Sequence, residues 1–294
     1  MGSGLWTAAS GAIAKTQIVD TTANNLANVD TQGFKKDAPT FKEYLSVAER
    51  DRYPQDIPRG PIKDKEFYPI DGKDQSFVVT DGTYTHFSQG HLRVTHSPLD
   101  IALDGPGFIE VNTPAGIRYT RNGALKMAAD GRLVTSEGHP VLSAQPQGLT
   151  AEPNAQNPQA ALAQRNPAVQ PQDNTAQRII NLKDVQGAVS ITESGEVFVG
   201  GDQIAKLNVV EFANPKKLRK QGGTLFENKE SQNILQTTNP KTIVRQGVIE
   251  TSNVNPVEEM TNLIRANRSF EMDLKSMKTH ADLMGKEVND VGKL

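Results

Sequence analysis

The chain has 294 residues, enough for one large domain or two ordinary ones with a sizeable core. Its 32 basic and 34 acidic side chains leave a formal charge of -2, with no long run of either sign, which argues against a nucleic-acid or membrane-surface partner. There is no cysteine, so thiol catalysis, disulfides and thiolate metal sites fall together, while the redox compartment stays open. Only 36% of residues are hydrophobic and 5% aromatic, and the middle is rich in Gly, Pro, Asn and Gln. That composition suits a more extended, loop-bearing molecule than a compact enzyme of equal length. No stretch approaches the roughly 20 apolar residues that span a bilayer. The N-terminus lacks the basic start and apolar run of a secretory signal, Lys15 being the first charged side chain. The expectation is a chain that stays in the cytoplasm or leaves by a route needing no cleaved peptide.

Leu5, Ala9, Ala12, Thr16, Val19, Ala23 and Leu26 recur at alternating steps of four and three. This lays an apolar stripe on a helix from about Leu5 to Asn28, a rod of about 36 Å. Its small alanines would admit a closely packed neighbour. Asp30 to Gly33 supply turn chemistry, with Gly33 free to take positive φ. Phe34 to Leu45 read as a resumed amphipathic segment. From Asp51 to Gly72, Pro54, Pro58, Pro61 and Pro69 forbid a long regular element and predict an extended connector.

Short strands separated by glycine or proline turns follow. They are expected at Phe77–Thr80, Gly90–Thr95, Asp100–Leu103, Phe108–Asn112, Ile117–Thr120, Leu133–Thr135, Val189–Thr192, Val197–Val199 and Lys206–Phe212. Asn122–Gly123, Asp130–Gly131 and Ser194–Gly195 have the composition of hairpin tips. Short strands without intervening helices predict an antiparallel sheet or barrel-like domain. Within it, Ala144–Gln177 is rich in Pro, Gln, Asn and Ala. Its low apolar content cannot offset its ordering entropy, so it reads as a surface insertion.

The last element starts sharply, with Asn255 as N-cap, Pro256 at the first helical position and Glu258 at the third. Glu258 and Glu259 also oppose the positive end of the helix dipole. Met260, Leu263, Asn267, Phe270, Leu274, Met277, Ala281, Met284, Val288 and Val291 continue the three–four rhythm to the end of a helix of about 54 Å. Asn267 is the polar member of that seam and a candidate register-setting amide. Two long stripes at the extreme ends, separated by a β-rich region, point to assembly more than to a private core. The longer helix would overhang a paired shorter one by about 18 Å. The expected fold is α+β. Terminal helices (1–45 and 246–294) form a coiled-coil assembly domain, followed by an extended connector (46–76) and a mainly antiparallel central β domain (77–245).

Catalysis finds no candidate. Glu258 and Glu259 are explained by the helix start. Asp100 and Asp104 flank a short strand beside Gly105-Pro106-Gly107 and suit turn or edge roles. His86, His91 and His96 are five apart, so an extended strand would alternate their faces, and no HxH or HExxH pattern accompanies them. Gly105-Pro106-Gly107 lacks the following lysine and helix of a phosphate cradle. No catalytic, cofactor or metal site is expected.

Ala23-Asn24-Asn25-Leu26-Ala27-Asn28-Val29-Asp30-Thr31-Gln32-Gly33-Phe34-Lys35 resembles the N-terminal signature of bacterial flagellar rod and hook proteins. Gly247 to Met260, followed by Arg268-Ser269-Phe270-Glu271, is similar to that family's C-terminal block. Leu99 to Phe108 and Tyr119 to Gly123 resemble its central domain. The resemblance covers nearly the whole chain except the insertion. It implies export through the flagellar type III apparatus without a cleaved signal. It also implies helical polymerisation into the periplasmic basal-body rod, with torque passed from motor to hook. Terminal helices would form an inner coiled-coil wall, with the β-rich middle outside. The partners implied are copies of the chain and neighbouring rod proteins, with no nucleic acid and no membrane insertion. The assembly set is Leu5, Ala12, Val19, Ala23, Asn25, Leu26, Asn28, Phe34, Met260, Leu263, Asn267, Phe270, Leu274, Met277 and Met284. The start of the second helix and Phe270-Glu271-Met272 read closer to the proximal-rod branch than to the distal one. The competing readings are a periplasmic cell-wall hydrolase or cell-wall-binding protein and a secreted adhesin recognising ligand through the insertion.

Overall fold

The computed structural model describes residues 3–46, 75–144, 174–182, 187–235 and 241–291. Nearly all of the expected connector and of the Pro/Gln-rich insertion lies outside them. Two compact units emerge. One comprises Met1–Ala27, Asp37–Tyr84 and Asn255–Leu294. The other comprises Asn28–Lys36 and Thr85–Val254, so it draws eight residues from the N-terminal signature and extends past the expected limit at 245.

The first unit holds helix α1 (Ser3–Ala27), helix α2 (Pro256–Val291), and a two-stranded ribbon of β1 (Asp37–Ser46) and β2 (Gln75–Thr85). The segment expected to resume amphipathic structure after Phe34 is therefore a strand. Pro39 disfavours helical backbone around it, and Thr40, Phe41 and Tyr44 favour a pleated surface. The cap of α2 forms as its sequence requires, with Asn255 Oδ1 accepting from the N–H groups of Val257 and Glu258 at 3.1 and 3.4 Å.

The second unit is β-rich, and its described strand pairings are antiparallel. Its main sheet has six strands in the order β13 (Arg219–Gln221), β14 (Leu225–Glu227), β6 (Gly116–Thr120), β5 (Phe108–Thr113), β12 (Val209–Phe212), β15 (Ile234–Leu235). Smaller sheets flank it. They are β9 (Val189–Ile191) with β10 (Glu196–Val199) and β11 (Asp202–Lys206), β4 (Ile101–Asp104) with β16 (Ile243–Gln246), β3 (Leu92–Val94) with β17 (Val248–Glu250), and β7 (Leu125–Met127) with β8 (Leu133–Thr135).

Strand alternation divides the interior in two. On β5 and β12, Ile109, Val111 and Val209 join an aliphatic core with Ile101, Leu133 and Val197. Phe108 and Val210 point the other way, into an aromatic core with Tyr119, Phe212 and Phe226. There Phe108 meets Phe212 and Phe226 edge-on, with centroids 5.4 and 5.6 Å apart.

Asp130–Gly131 and Ser194–Gly195 are hairpin tips, joining β7 to β8 and β9 to β10, with both glycines at positive φ. Asn122–Gly123 is not. Its carbonyl accepts from Ile101 N–H at 2.9 Å, and a Cβ on Gly123 would lie 1.8 Å from Ile101 O. That glycine allows two backbones to touch. The stretch expected as one strand from Lys206 breaks between β11 and β12, and Gly222-Gly223 turns between two strands, β13 and β14, that composition did not reveal.

The aromatic core sets two expectations. Phe226 is fully buried, so Phe226→Ala should cost about 3–5 kcal/mol in denaturant unfolding, whereas the exposed Val94→Ala should stay within about 0.5 kcal/mol. Burial, and then the charge of Glu110, pushes the Tyr119 hydroxyl from 10.0 up to about 12. The folded chain keeps a proton there that the unfolded chain has already released. Stability should therefore fall as pH rises from 10 to about 12, and Tyr119→Phe should remove that part of the alkaline loss in urea melts across the range.

Candidate functional site

Two constellations stand out, one in each unit. In the first unit α1 and α2 pack antiparallel. Asn25 Nδ2 donates to Glu259 Oε2 at 3.2 Å, while a Cβ on Gly11 would lie 3.6 Å from Asp273 Oδ2. Both pairs advance by two heptads in opposite directions. Carried along that register, α1 begins opposite the region of residue 281, leaving about ten residues of α2, about 15 Å, beyond it.

The residues facing inward are small or polar. On α1 they are Gly11, Ala14, Thr21 and Asn25. On α2 they are Glu259, Ala266 and Asp273 at seven-residue spacing, with Leu263, Phe270, Met277 and Met284 half-buried alongside. The residues expected as the α2 seam divide between two faces of the helix. Its Leu263–Phe270–Met277–Met284 line turns toward the partner helix, but Met260, Asn267 and Leu274 are exposed. The residue before each of them faces inward instead. On α1, Ala12 is buried, Val19 and Leu26 are half-buried, and Ala23 is exposed. Leu5 lies on α1, and only its backbone belongs to the described residues.

The buried amide is Asn25, not Asn267. Asn25 Nδ2 donates to Asp37 O at 2.8 Å, and its Oδ1 accepts from Asp37 N–H at 3.0 Å. It therefore clasps the two ends of the Asn28–Lys36 excursion as well as Glu259. Asn28 is half-buried in that excursion, its Oδ1 accepting from Thr31 Oγ1 at 3.1 Å. Glu259, expected only to oppose the helix dipole, is buried against Asn25.

In the second unit, Lys35, Arg121 and Glu250 form an ion cluster closed to solvent. Glu250 Oε1 accepts from Lys35 Nζ at 2.5 Å and Gly90 N–H at 2.8 Å, and Oε2 accepts from Arg121 Nη1 at 3.3 Å. Surplus donors go to carbonyls, Lys35 Nζ to Ser88 O at 2.8 Å and Arg121 Nη2 to Gly105 O at 2.6 Å. Two cations share one carboxylate. Burial, reinforced by the like charge of Arg121, holds the Lys35 ammonium below its ordinary 10.5 despite Glu250, and burial also lowers Arg121.

Backbone contacts complete the junction. Gly33, at φ 68°, donates to Glu250 O at 2.9 Å, and a Cβ there would lie 2.5 Å from the Arg121 carbonyl carbon. Asn253 Oδ1 accepts from Lys36 N–H at 2.7 Å, and its Nδ2 reaches His86 O at 2.9 Å. Phe34 is wholly buried beneath Lys220 Nζ, 3.6 Å above its ring. It belongs to this core, and its own fold removes it from the assembly set.

The catalytic candidates resolve into structural contacts. Asp100 accepts from Thr95 Oγ1 at 2.7 Å, and Asp104 pairs with Arg245 at 2.8 Å. Among the described residues no group of three or more His, Asp or Glu side chains could hold a metal ion, and no helix is long and apolar enough to cross a membrane. Sequence reasoning missed the ion cluster because Lys35, Arg121 and Glu250 are far apart in the chain. The available signal was that all three lie within the signature blocks.

The Asn25 clasp yields a measurable expectation. Asn25→Ala should cost about 2–3 kcal/mol, because it removes the buried hydrogen bond to Glu259 and both bonds to the Asp37 backbone. Asn267→Ala should stay within about 0.5 kcal/mol. Chemical unfolding followed by helix ellipticity distinguishes them.

Comparison with known proteins bears on all these elements. The family described as "Flagella basal body rod protein" matches residues 5–35. "Flagellar hook protein FlgE/F/G D1 domain" matches 102–199, and "Flagellar basal body rod FlgEFG protein C-terminal" matches 245–291. Flagellar basal-body rod protein FlgG of Buchnera aphidicola subsp. Schizaphis graminum is 30% identical over 293 residues, covering 96% of this chain and 97% of the relative. FlgG of Borreliella burgdorferi is also 30% identical, covering 96% of each. FlgF of Caulobacter vibrioides is 28% identical over 278 residues, covering 94% of this chain and 92% of its own length. With its helical ends and β-rich middle matched in order, this chain belongs to the flagellar basal-body rod protein family and is a structural subunit of the bacterial flagellum, not an enzyme.

Proposed function

We propose that the chain builds the rod through the outward faces of its terminal helices, which pack against neighbouring copies as a coiled-coil wall. One observation carries this reading. The two helices meet along small and polar residues, with Leu263, Phe270, Met277 and Met284 only half-buried beside them, and leave Val257, Met260, Ile264 and Leu274 exposed on α2, with Trp6 and Ile13 exposed on α1. An intramolecular pair that leaves this much apolar surface uncovered is weak by itself, so its ordering is completed by neighbours. Contacts between unlike patches on successive copies propagate a helix instead of closing a dimer.

Met260, Asn267, Leu274 and Ala23 face neighbouring subunits. Leu263, Phe270, Met277, Met284, Ala12, Val19 and Leu26 contribute on the half-buried flanks. Leu5 continues the stripe toward the N-terminus. The chain works in the periplasmic part of the rod between other rod proteins and passes torque outward. It gets there through the flagellar type III export apparatus without a cleaved signal. Identity alone does not favour the proximal, FlgF-type branch, since FlgG-named and FlgF-named relatives match to overlapping extents, 27–30% and 27–28%. The Asn255–Met260 helix start and Phe270-Glu271-Met272 support the proximal placement.

Ile264→Asp or Leu274→Asp would place an unpaired charge in every subunit contact. Either should abolish rods in electron micrographs of basal bodies and abolish swimming. Hydrogen exchange of the central unit in the purified variants should stay unchanged. His91→Ala should swim normally. Normal rods from the aspartate variants would refute the helix-face reading.

A further inference from the structure

The Lys35–Arg121–Glu250 cluster does more than tie strands together. Asn28–Lys36 reaches the central unit from the N-terminal side of the chain, and Lys35 and Glu250 are separated by 215 positions in sequence. Arg121 and Glu250 are separated by 129. Both cations are thus placed by segments that come early, and the carboxylate between them comes late. The same late segment supplies β17, which pairs with β3, and Asn253, which holds Lys36 N–H and the carbonyls of His86 and Ser88. A chain lacking this segment can bury Lys35 and Arg121 only as an unbalanced pair of like charges, which is strongly unfavourable in an apolar interior.

We propose that Glu250 is a completion switch, so that the central unit closes only when the late carboxylate arrives between two cations set in place by early segments. Until then the aliphatic and aromatic cores stay open, because the strands flanking both cores lead directly into the cluster. Arg121 follows β6 and lies over the Phe108 ring at 5.0 Å, and Gly90 leads into β3. A chain delivered from its N-terminus therefore remains threadable through most of its length and folds its centre late. The purpose rests on the rod-subunit reading, but the switch is a property of the monomer and is measured without any rod.

The full chain with Glu250→Gln reproduces the state before the charge arrives, while keeping shape and length. Hydrogen exchange followed by mass spectrometry would read β10 and β11, which lie in a separate sheet and make no contact with the cluster's ions. In Glu250→Gln their protection should drop on the order of 100-fold, together with that of β5 and β6. Lys35→Met leaves Arg121 and Glu250 as a balanced pair and should retain protection close to wild type. The double variant Glu250→Gln/Lys35→Met should recover part of what Glu250→Gln lost, since one uncompensated cation replaces two. Loss confined to β3, β17 and Asn28–Lys36, with β10 and β11 still protected, would overturn the switch. So would equal damage from Lys35→Met, or no recovery in the double variant. Rod assembly is not scored in this experiment, so its outcome is separable from any failure of the helix-face reading.

Discussion

The architecture of the central unit depends on one carboxylate. Glu250 has no solvent to stabilise it, and neither have Lys35 and Arg121. Removing three ions from water is tolerable only where Coulomb attraction and saturated hydrogen bonding return what desolvation costs. The cluster approaches that condition by distributing its donors. The carboxylate takes one ammonium, one guanidinium nitrogen and one backbone amide, and the carbonyls of Ser88 and Gly105 take the remaining reach of the cations. Among the described residues Arg121 Nε lacks a hydrogen-bond partner. Close approach is the other condition. Gly33 and Gly90 stand where a Cβ would collide with backbone, at Arg121 and Thr251 respectively.

The terminal helices obey a different economy. The line of closest approach is made of small and polar residues, which brings the two backbones together and uses Asn25 and Glu259 to fix how they align. Specificity of register is a common return for placing polar groups in a helix seam, at some loss of stability. What the pair forgoes in apolar burial remains on its outside, in Met260, Ile264 and Leu274. Such a distribution disfavours a self-sufficient monomer and suits a subunit whose stability is shared with its neighbours.

The signature blocks acquire a physical meaning here. Asn25, Gly33, Phe34, Lys35, Glu250 and Asn253 all make contacts inside their own chain. Their residue types are dictated by closure of the fold: an amide that can donate and accept to one backbone position, a glycine at positive φ, a lysine long enough to reach a buried carboxylate. The family likeness in these blocks therefore reports how each unit closes on itself, more than which surfaces meet another subunit.

Much of this was legible in the residues alone. The cap at Asn255, the reach of α2 to Val291, two of the three hairpin tips and the α+β layout follow from local chemistry, since capping, periodicity and turn preference act over a few neighbouring positions. Which side of each helix faces its partner did not follow. Apolar periodicity marks the most hydrophobic stripe, but the helices chose the adjacent smaller one, because backbone approach and the Asn25–Glu259 contact outweighed apolar area. The strand at Asp37–Ser46 likewise needed β2 beside it to become a strand. The ion cluster was the least readable part, because pairing across 215 positions leaves no local trace. Only the folded chain decides which distant charges share a site closed to water.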